Sequence, residues 1–164
     1  MGLIAVISDT HLPRGRRRLP PACVEHLRAA DLILHAGDVM TEEALADIEA
    51  VGPPVLAVHG NVDSDALRAR LPSQCTVDHA GALIAMTHDA GPARGRLDRL
   101  RRRFPDADAV VFGHSHLPLR EHAPDGFQIF NPGSPTDRRR QPHHTMGLIH
   151  TSPSGPSFEL VQLD

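Results

Sequence analysis

The chain predicts an α/β fold with an antiparallel C-terminal part, on three observations. Short apolar runs bounded by turn residues alternate with helical patterns through the first two thirds. The last third carries short strand patterns separated by Pro, Gly and Asp, with no helix between them. Five of the apolar runs end in polar clusters rich in Asp, Asn and His, and in open α/β sheets ligands bind beyond the carboxyl ends of the strands.

The runs LIAVI (residues 3–7), LIL (32–34), VLAV (55–58), ALIAM (82–86) and AVVF (109–112) read as buried strands, being short and continuously apolar. Between them, PPACVEHLRAA (20–30) reads as a helix opened by Pro, and TEEALADIEAV (41–51) as one with a Thr cap and early carboxylates. RGRLDRLRRRF (94–104) is a third helix, stopped by Pro105. Strand-helix repetition predicts parallel pairing through right-handed crossovers. LPLREHA (117–123), FQIFNPGS (127–134), TMGLIHTS (145–152) and SFELVQLD (157–164) read as antiparallel strands.

At 164 residues, with 40% hydrophobic and 23% charged residues, the chain suits one soluble domain over residues 1–164 with a substantial core. No apolar run approaches membrane-spanning length, and MGLIAVIS lacks the basic region and cleavage site of a secretory signal, so a cytoplasmic protein is expected. Cys23 and Cys75 lie far apart without CxxC spacing and are expected as reduced core thiols. All 17 basic residues are Arg, and three triplets stand at 16–18, 101–103 and 138–140. Arginine's planar fork favours phosphate. The net charge of −3 and the absence of Trp and Tyr nevertheless argue against a nucleic-acid binder, and the triplet at 101–103, inside a helical pattern, reads as solvated surface.

The chemistry sits where the strands end. SDTH follows the first strand, HAGD the second, HGNVD the third, THD the fourth and GHSH the fifth. Clusters so remote in sequence are expected to converge in space. Asp9, Asp38, Asn61 and several histidines form a mixed oxygen and nitrogen set without thiolate, which suits Mn²⁺, Fe²⁺, Co²⁺, Ni²⁺ or Zn²⁺ better than an all-oxygen Ca²⁺ cage. Seven or more donors exceed the needs of one ion and point to two ions sharing a carboxylate. Glycines precede Asp38, Asn61 and His114, which permits close approach of backbone to a ligand.

SDTH, HAGD, GNVD, the TH of residues 87–88, GHSH and NPGS, in this order, resemble the calcineurin-like metallophosphoesterases. More narrowly, the chain is similar to the small bacterial and archaeal phosphodiesterases of that superfamily. The resemblance implies a four-layer αββα sandwich, two mixed β-sheets flanked by helices. It implies one divalent ion on Asp9, His11, Asp38 and His116, and a second on Asp38, Asn61, His88 and His114, with Asp38 as the bridge. Mn²⁺ is expected first, with Ni²⁺, Fe²⁺, Co²⁺, Zn²⁺ or Mg²⁺ as alternatives. The implied reaction is hydrolysis of a phosphoester, foremost a diester, by hydroxide bridging the two ions, with Asp38, Asn61 and His88 carrying catalysis.

Two departures from the family pattern stand out. Many members carry His after GN, where this chain has Val62, which favours diesters or activated esters over monoesters with poor leaving groups. Asp89 changes the more usual THG to THD. Around these positions, Asp63 is expected either to orient a ligand or to cap a turn, and His35 and His59 to close strand ends by hydrogen bonding to backbone. Asn131 is expected to fix a turn near the metals, and Arg14, Arg16 and Arg17 to draw in anions. A small phosphoester is the expected partner, with no membrane and a homo-oligomer left open. The alternative function is a non-catalytic metal-binding scaffold, as in the retromer subunit that shares this fold.

Overall fold

The computed structural model describes residues 1–13 and 15–164. Two five-stranded sheets pack face to face, with helices on both outer faces. The first half of the chain builds β1 (Gly2–Ile7), α1 (Pro21–Ala29), β2 (Leu32–His35), α2 (Glu42–Glu49), β3 (Val55–Ala57) and α3 (Asp65–Arg70). There follow β4 (Gln74–His79), β5 (Ala82–Thr87), α4 (Arg96–Arg103), β6 (Ala109–Val111), β7 (Leu119–His122), β8 (Gln128–Asn131), β9 (Thr145–Thr151) and β10 (Ser157–Gln162). The four layers run from α1, α2 and α3 through the β10-β9-β1-β2-β3 sheet and the β4-β5-β6-β8-β7 sheet to α4.

Strand periodicity accounts for the layering. In β1, Ile4 and Val6 face the second sheet while Ala5 and Ile7 face the helices, and all four are fully buried. Burial on both faces removes the polar alternation an exposed sheet would show, and contributes about 1.5–3 kcal/mol per large aliphatic side chain. Cys23, Leu27, Leu45, Ile48 and Leu67 bring the helices onto the outer face of the first sheet. Leu100 and Phe104 do the same for α4 on the second. Between the sheets, Phe130 of β8 stacks on Phe158 of β10 with centroids 4.5 Å apart.

Thr41 caps α2 as its sequence predicts, its Oγ1 accepting from the Ala44 N–H at 3.1 Å. Cys23 is a free thiol in the core and Cys75 a half-buried one. Burial raises both thiol pKa values, to about 12 and about 11.

The two mixed sheets are those the resemblance implies, and the expected parallel pairing is divided between them: β1, β2 and β3 pair in parallel in the first, and β5 and β6 in the second. Two features differ from the sequence expectation. The C-terminal strands are not wholly antiparallel, because β8 pairs in parallel with β6 while β9 returns antiparallel to β1. Finally, α3 and β4 add to the predicted elements. β4 escapes an apolar-run criterion because its burial alternates, with Cys75 and Val77 facing the core and Thr76 and Asp78 exposed along a sheet edge. The described residues contain no helix long and apolar enough to cross a membrane.

Candidate metal centre

The five polar clusters meet at one end of the molecule, three from the first sheet and two from the second. Backbone pairing continues past the strand ends there. Asp9 N–H donates to Gly37 O at 2.9 Å, His11 N–H to Asp38 O at 3.0 Å and Leu12 N–H to Val39 O at 3.0 Å, so the loops after β1 and β2 are zipped together. Asp9, His11, Asp38, His114 and His116 all have positive φ, between 48° and 72°. Left-handed backbone at non-glycine residues is costly, and its concentration on the expected ligands marks a functional site.

Two groups of candidate ligands result: Asp9, His11 and His116, and Asp38, His88 and His114. Within each, one ligand atom per residue lies within 4.8 Å of the others. Asp9 Oδ2 accepts from Ser8 Oγ at 2.7 Å and from the His114 N–H at 3.0 Å, which leaves Oδ1 free. Asp9 Oδ1, His11 Nε2 and His116 Nε2 are buried without a hydrogen-bond partner. Unpaired buried polar atoms cost about 1–3 kcal/mol each, and three that converge are the donor set a cation satisfies. Asp38 Oδ2 lies 3.7 Å from His11 Nε2 and 3.2 Å from His88 Nε2, between the groups, while Oδ1 is fixed by the Val62 N–H at 3.0 Å. Asn61 Oδ1 lies 3.1 Å from both His88 Nε2 and His114 Nδ1. All seven residues expected from the sequence are therefore brought together, and Asp38 stands where a bridge would.

The histidines are oriented through their second nitrogens. His88 Nδ1 donates to Ala36 O at 2.7 Å and His116 Nδ1 to Asp137 O at 2.5 Å, which commits each proton to Nδ1 and aims Nε2 inward. Burial opposes the charge on His88, but its hydrogen bond to Asp38 and the carboxylates of Asp9 and Asp38 raise its pKa to about 9. Burial likewise opposes ionisation of Asp38, yet His88, the Val62 N–H and His11 hold it at about 2. Burial lowers the pKa of His11 and raises that of Asp9.

Neighbouring residues hold this arrangement. Asp63 is buried and accepts the N–H groups of Asp38 (3.0 Å), Met40 (2.7 Å) and Gly60 (2.6 Å), so it orients the ligand loops. His35 is fully buried and neutral, held at a pKa of about 4 by burial, with Nδ1 accepting from the Gly37 N–H. Its Nε2 lies 3.0 Å from Thr10 Oγ1. Asn131 donates to Gly113 O (3.1 Å) and Ser115 Oγ (3.2 Å) and accepts from the Gly133 N–H (2.9 Å). A Cβ on Gly60 would collide with the Asp38 carboxylate, one on Gly37 with the His88 ring, and one on Gly113 with Ser8 and Asp9.

Sequence reasoning missed four supports. Ser134 Oγ donates to Asp9 O at 2.9 Å, Thr136 Oγ1 donates to Thr10 O at 2.6 Å, and Asp137 supplies the carbonyl for His116. Arg68 of α3 donates to Asn61 O at 2.5 Å and Asp63 O at 3.2 Å. Ser134 lies inside the NPGS segment that the sequence singles out, but nothing local to Arg68 points to its loop contacts.

Position 62 is an exposed valine, whose side chain supplies no proton donor. His59 is half-buried, with its backbone N–H bonded to Pro72 O at 3.0 Å and its side chain facing a cavity. Of the arginines after SDTH, Arg14 lies outside the described residues and Arg16 is exposed. Arg17 lies 3.5 Å from both His11 O and an Asp137 carboxylate oxygen, and is a tether as much as a source of potential. Arg101 pairs with Asp125 on the exposed surface, as the solvated reading of its triplet expects.

Comparison with known proteins agrees with this geometry. A probable metallophosphoesterase of Methanothermobacter thermautotrophicus is 34% identical over 136 residues, covering 82% of this chain and 77% of that protein. Vps29 of Entamoeba histolytica, solved in complex with Zn²⁺, superposes with a TM-score of 0.77 at 20% identity over 99% of each chain. An archaeal phosphodiesterase superposes with a TM-score of 0.72 at 20% identity, over 97% of this chain and 99% of its own. The family model described as the calcineurin-like phosphoesterase superfamily domain matches residues 3–154. With its ligand-bearing loops at the ends of two facing sheets, the chain belongs to the calcineurin-like phosphoesterase superfamily, whose members act with divalent metal ions.

Proposed function

We propose that this protein is a dinuclear metal-dependent phosphodiesterase acting on a small phosphoester. The carrying observation is the convergence of Asp9 Oδ1, His11 Nε2 and His116 Nε2, buried and unpartnered, beside the second group around Asp38, His88 and His114. Asp9, His11, Asp38 and His116 would hold one ion, and Asp38, Asn61, His88 and His114 the other. Bound divalent ions supply Lewis acidity, lowering the pKa of water and neutralising phosphoryl oxygens during in-line displacement. Mn²⁺ suits the mixed nitrogen and oxygen donors, as do Ni²⁺, Fe²⁺, Co²⁺, Zn²⁺ and Mg²⁺ in varying degree.

The chain's own residues then position the reaction. Asp38 joins the two groups, Asn61 and the exposed His114 line the open side where substrate would arrive, and the Nδ1 bonds of His88 and His116 keep their Nε2 atoms aimed inward. An exposed Val62 leaves the leaving group without a donor at that position. Esters with activated leaving groups, which depart with little protonation, fit that lack. The archaeal phosphodiesterase of the same fold supports the diester reading.

The test is hydrolysis of bis(p-nitrophenyl) phosphate by protein loaded with Mn²⁺ or Ni²⁺. Asp38→Asn should lower turnover at least about a hundredfold, and undiminished turnover would overturn the assignment. The Vps29 likeness motivates a second reading, a metal-binding scaffold. Tight metal binding with no hydrolysis across a panel of phosphoesters would select it.

A further inference from the structure

A cavity of about 280 Å³ opens directly beside the second ligand group, and two of its walls are Asn61 and His88 themselves. Its other walls include His59, Arg68, Asp89 and Arg103. Arg68 stands behind the GNVD loop, with donors committed to Asn61 O and Asp63 O, and contributes charge from a fixed position. Arg103, at the end of α4, is anchored through Nε to Gln74 Oε1 at 2.9 Å. Its guanidinium carbon lies 5.3 Å from the Phe104 ring centroid, and among the described residues its terminal amino groups make no hydrogen bond, so that end of the fork keeps its donors for an oxyanion. Asp89 is the one acidic wall, and its Oδ1 is occupied by the Gly91 N–H at 2.8 Å. Two guanidinium groups against one carboxylate leave the cavity net positive.

The walls carry no Phe, and the chain has no Trp or Tyr, so the large aromatic platforms that hold a base are absent from the lining. The donors and charges of His59, Arg68 and Arg103 make charge and hydrogen bonding its main means of recognition. We propose that this cavity is a specificity subsite for a further phosphate on the substrate, with Arg103 as the residue that contacts it. The preferred substrate is then a phosphodiester one of whose ester arms bears a second phosphate group. This rests on the phosphodiesterase reading of the adjoining centre and adds the substrate class. Its volume, slightly below the roughly 300–1,000 Å³ of sites for drug-sized ligands, suits a short phosphorylated arm.

The test compares two ligands differing by one phosphate, 1,3-propanediol bisphosphate and propyl phosphate, by calorimetric titration of the Mn²⁺-loaded protein. Wild type should bind the bisphosphate at least about tenfold more tightly, as for one charge-assisted contact. Arg103→Gln should bring that ratio close to one and Arg103→Lys should leave it intermediate. Arg102→Gln, the same charge loss on the exposed neighbour outside the cavity, should leave it unchanged. A ratio that survives Arg103→Gln, or that falls equally in Arg102→Gln, overturns the subsite. Wild-type hydrolysis of bis(p-nitrophenyl) phosphate judges the reaction separately. With hydrolysis present and the ratio insensitive to Arg103 the subsite fails alone, and with hydrolysis absent the titration still decides the subsite.

Discussion

The carboxylate of Asp63 accepts the backbone N–H of Asp38 at 3.0 Å, so one acid that faces no candidate ion fixes the acid that stands between the two ligand groups. The same carboxylate takes the N–H groups of Met40 and Gly60. Asp63→Ala leaves those donors without an acceptor at a cost of about 1–3 kcal/mol each. Urea unfolding should show a loss of several kcal/mol, and calorimetry at least tenfold weaker Mn²⁺ binding. Unchanged metal affinity in a folded Asp63→Ala protein would reduce Asp63 to a turn cap.

Gly60 tests the close approach of the loops. The added methyl of Gly60→Ala would collide with the Asp38 carboxylate and backbone. Asp38 must then rotate away from His11 and His88, so metal affinity and activity should fall at least about tenfold while far-ultraviolet circular dichroism stays near wild type. Gly52→Ala, at a position with open space though a strained φ of 136°, should lower stability only and leave metal affinity alone.

Asn131 ties the GHSH loop to the turn after β8. Asn131→Leu keeps the branched shape but leaves the Gly133 N–H unpaired and the Gly113 carbonyl with only the Ser115 N–H at 2.9 Å. The expected stability loss is about 1–3 kcal/mol by chemical denaturation, with weaker metal binding because the loop carries His114 and His116. Wild-type stability would mean that water or a shifted backbone replaces the lost bonds.

The metal-free protein should be most stable near pH 6.5, for two opposed reasons. His35 is lowered from 6.5 to about 4 by burial, so the unfolded chain binds the extra proton between those values, and stability falls as pH drops through that window. His88 is raised from 6.5 to about 9, so the folded protein holds the extra proton, and that stabilisation is lost as pH rises through about 9. A divalent ion displaces the His88 proton, so saturating Mn²⁺ should remove the alkaline loss and leave the acid one. Thermal melts across pH 4–9.5, with chelator and with Mn²⁺, check both arms. Insensitivity of the alkaline limb to metal would contradict the place given to His88.

The sequence by itself determined the strands that carry chemistry and the ligand types at their ends. LIAVI is apolar throughout because β1 is buried on both faces, and SDTH follows it because a ligand cannot sit where such a strand is covered. Periodicity and composition are local properties, so they were legible residue by residue. Gly60 and Gly113 were legible as well, since a glycine beside a candidate ligand states that something must come close. The motif resemblance added the two-sheet sandwich and the grouping of the ligands. What only the tertiary structure decided was which strands share a sheet and what holds the ligands in place, because pairing between distant segments leaves no local trace. The parallel β6-β8 ladder was hidden for the same reason, and β4 because an edge strand needs only alternate apolar residues. Asp137 offers His116 a backbone carbonyl, which every residue possesses, and Arg68 reaches two more. Arg103 stands in a triplet that reads as solvated surface, and only folding sets it apart from Arg101 and Arg102 by placing it on the wall beside Asn61 and His88.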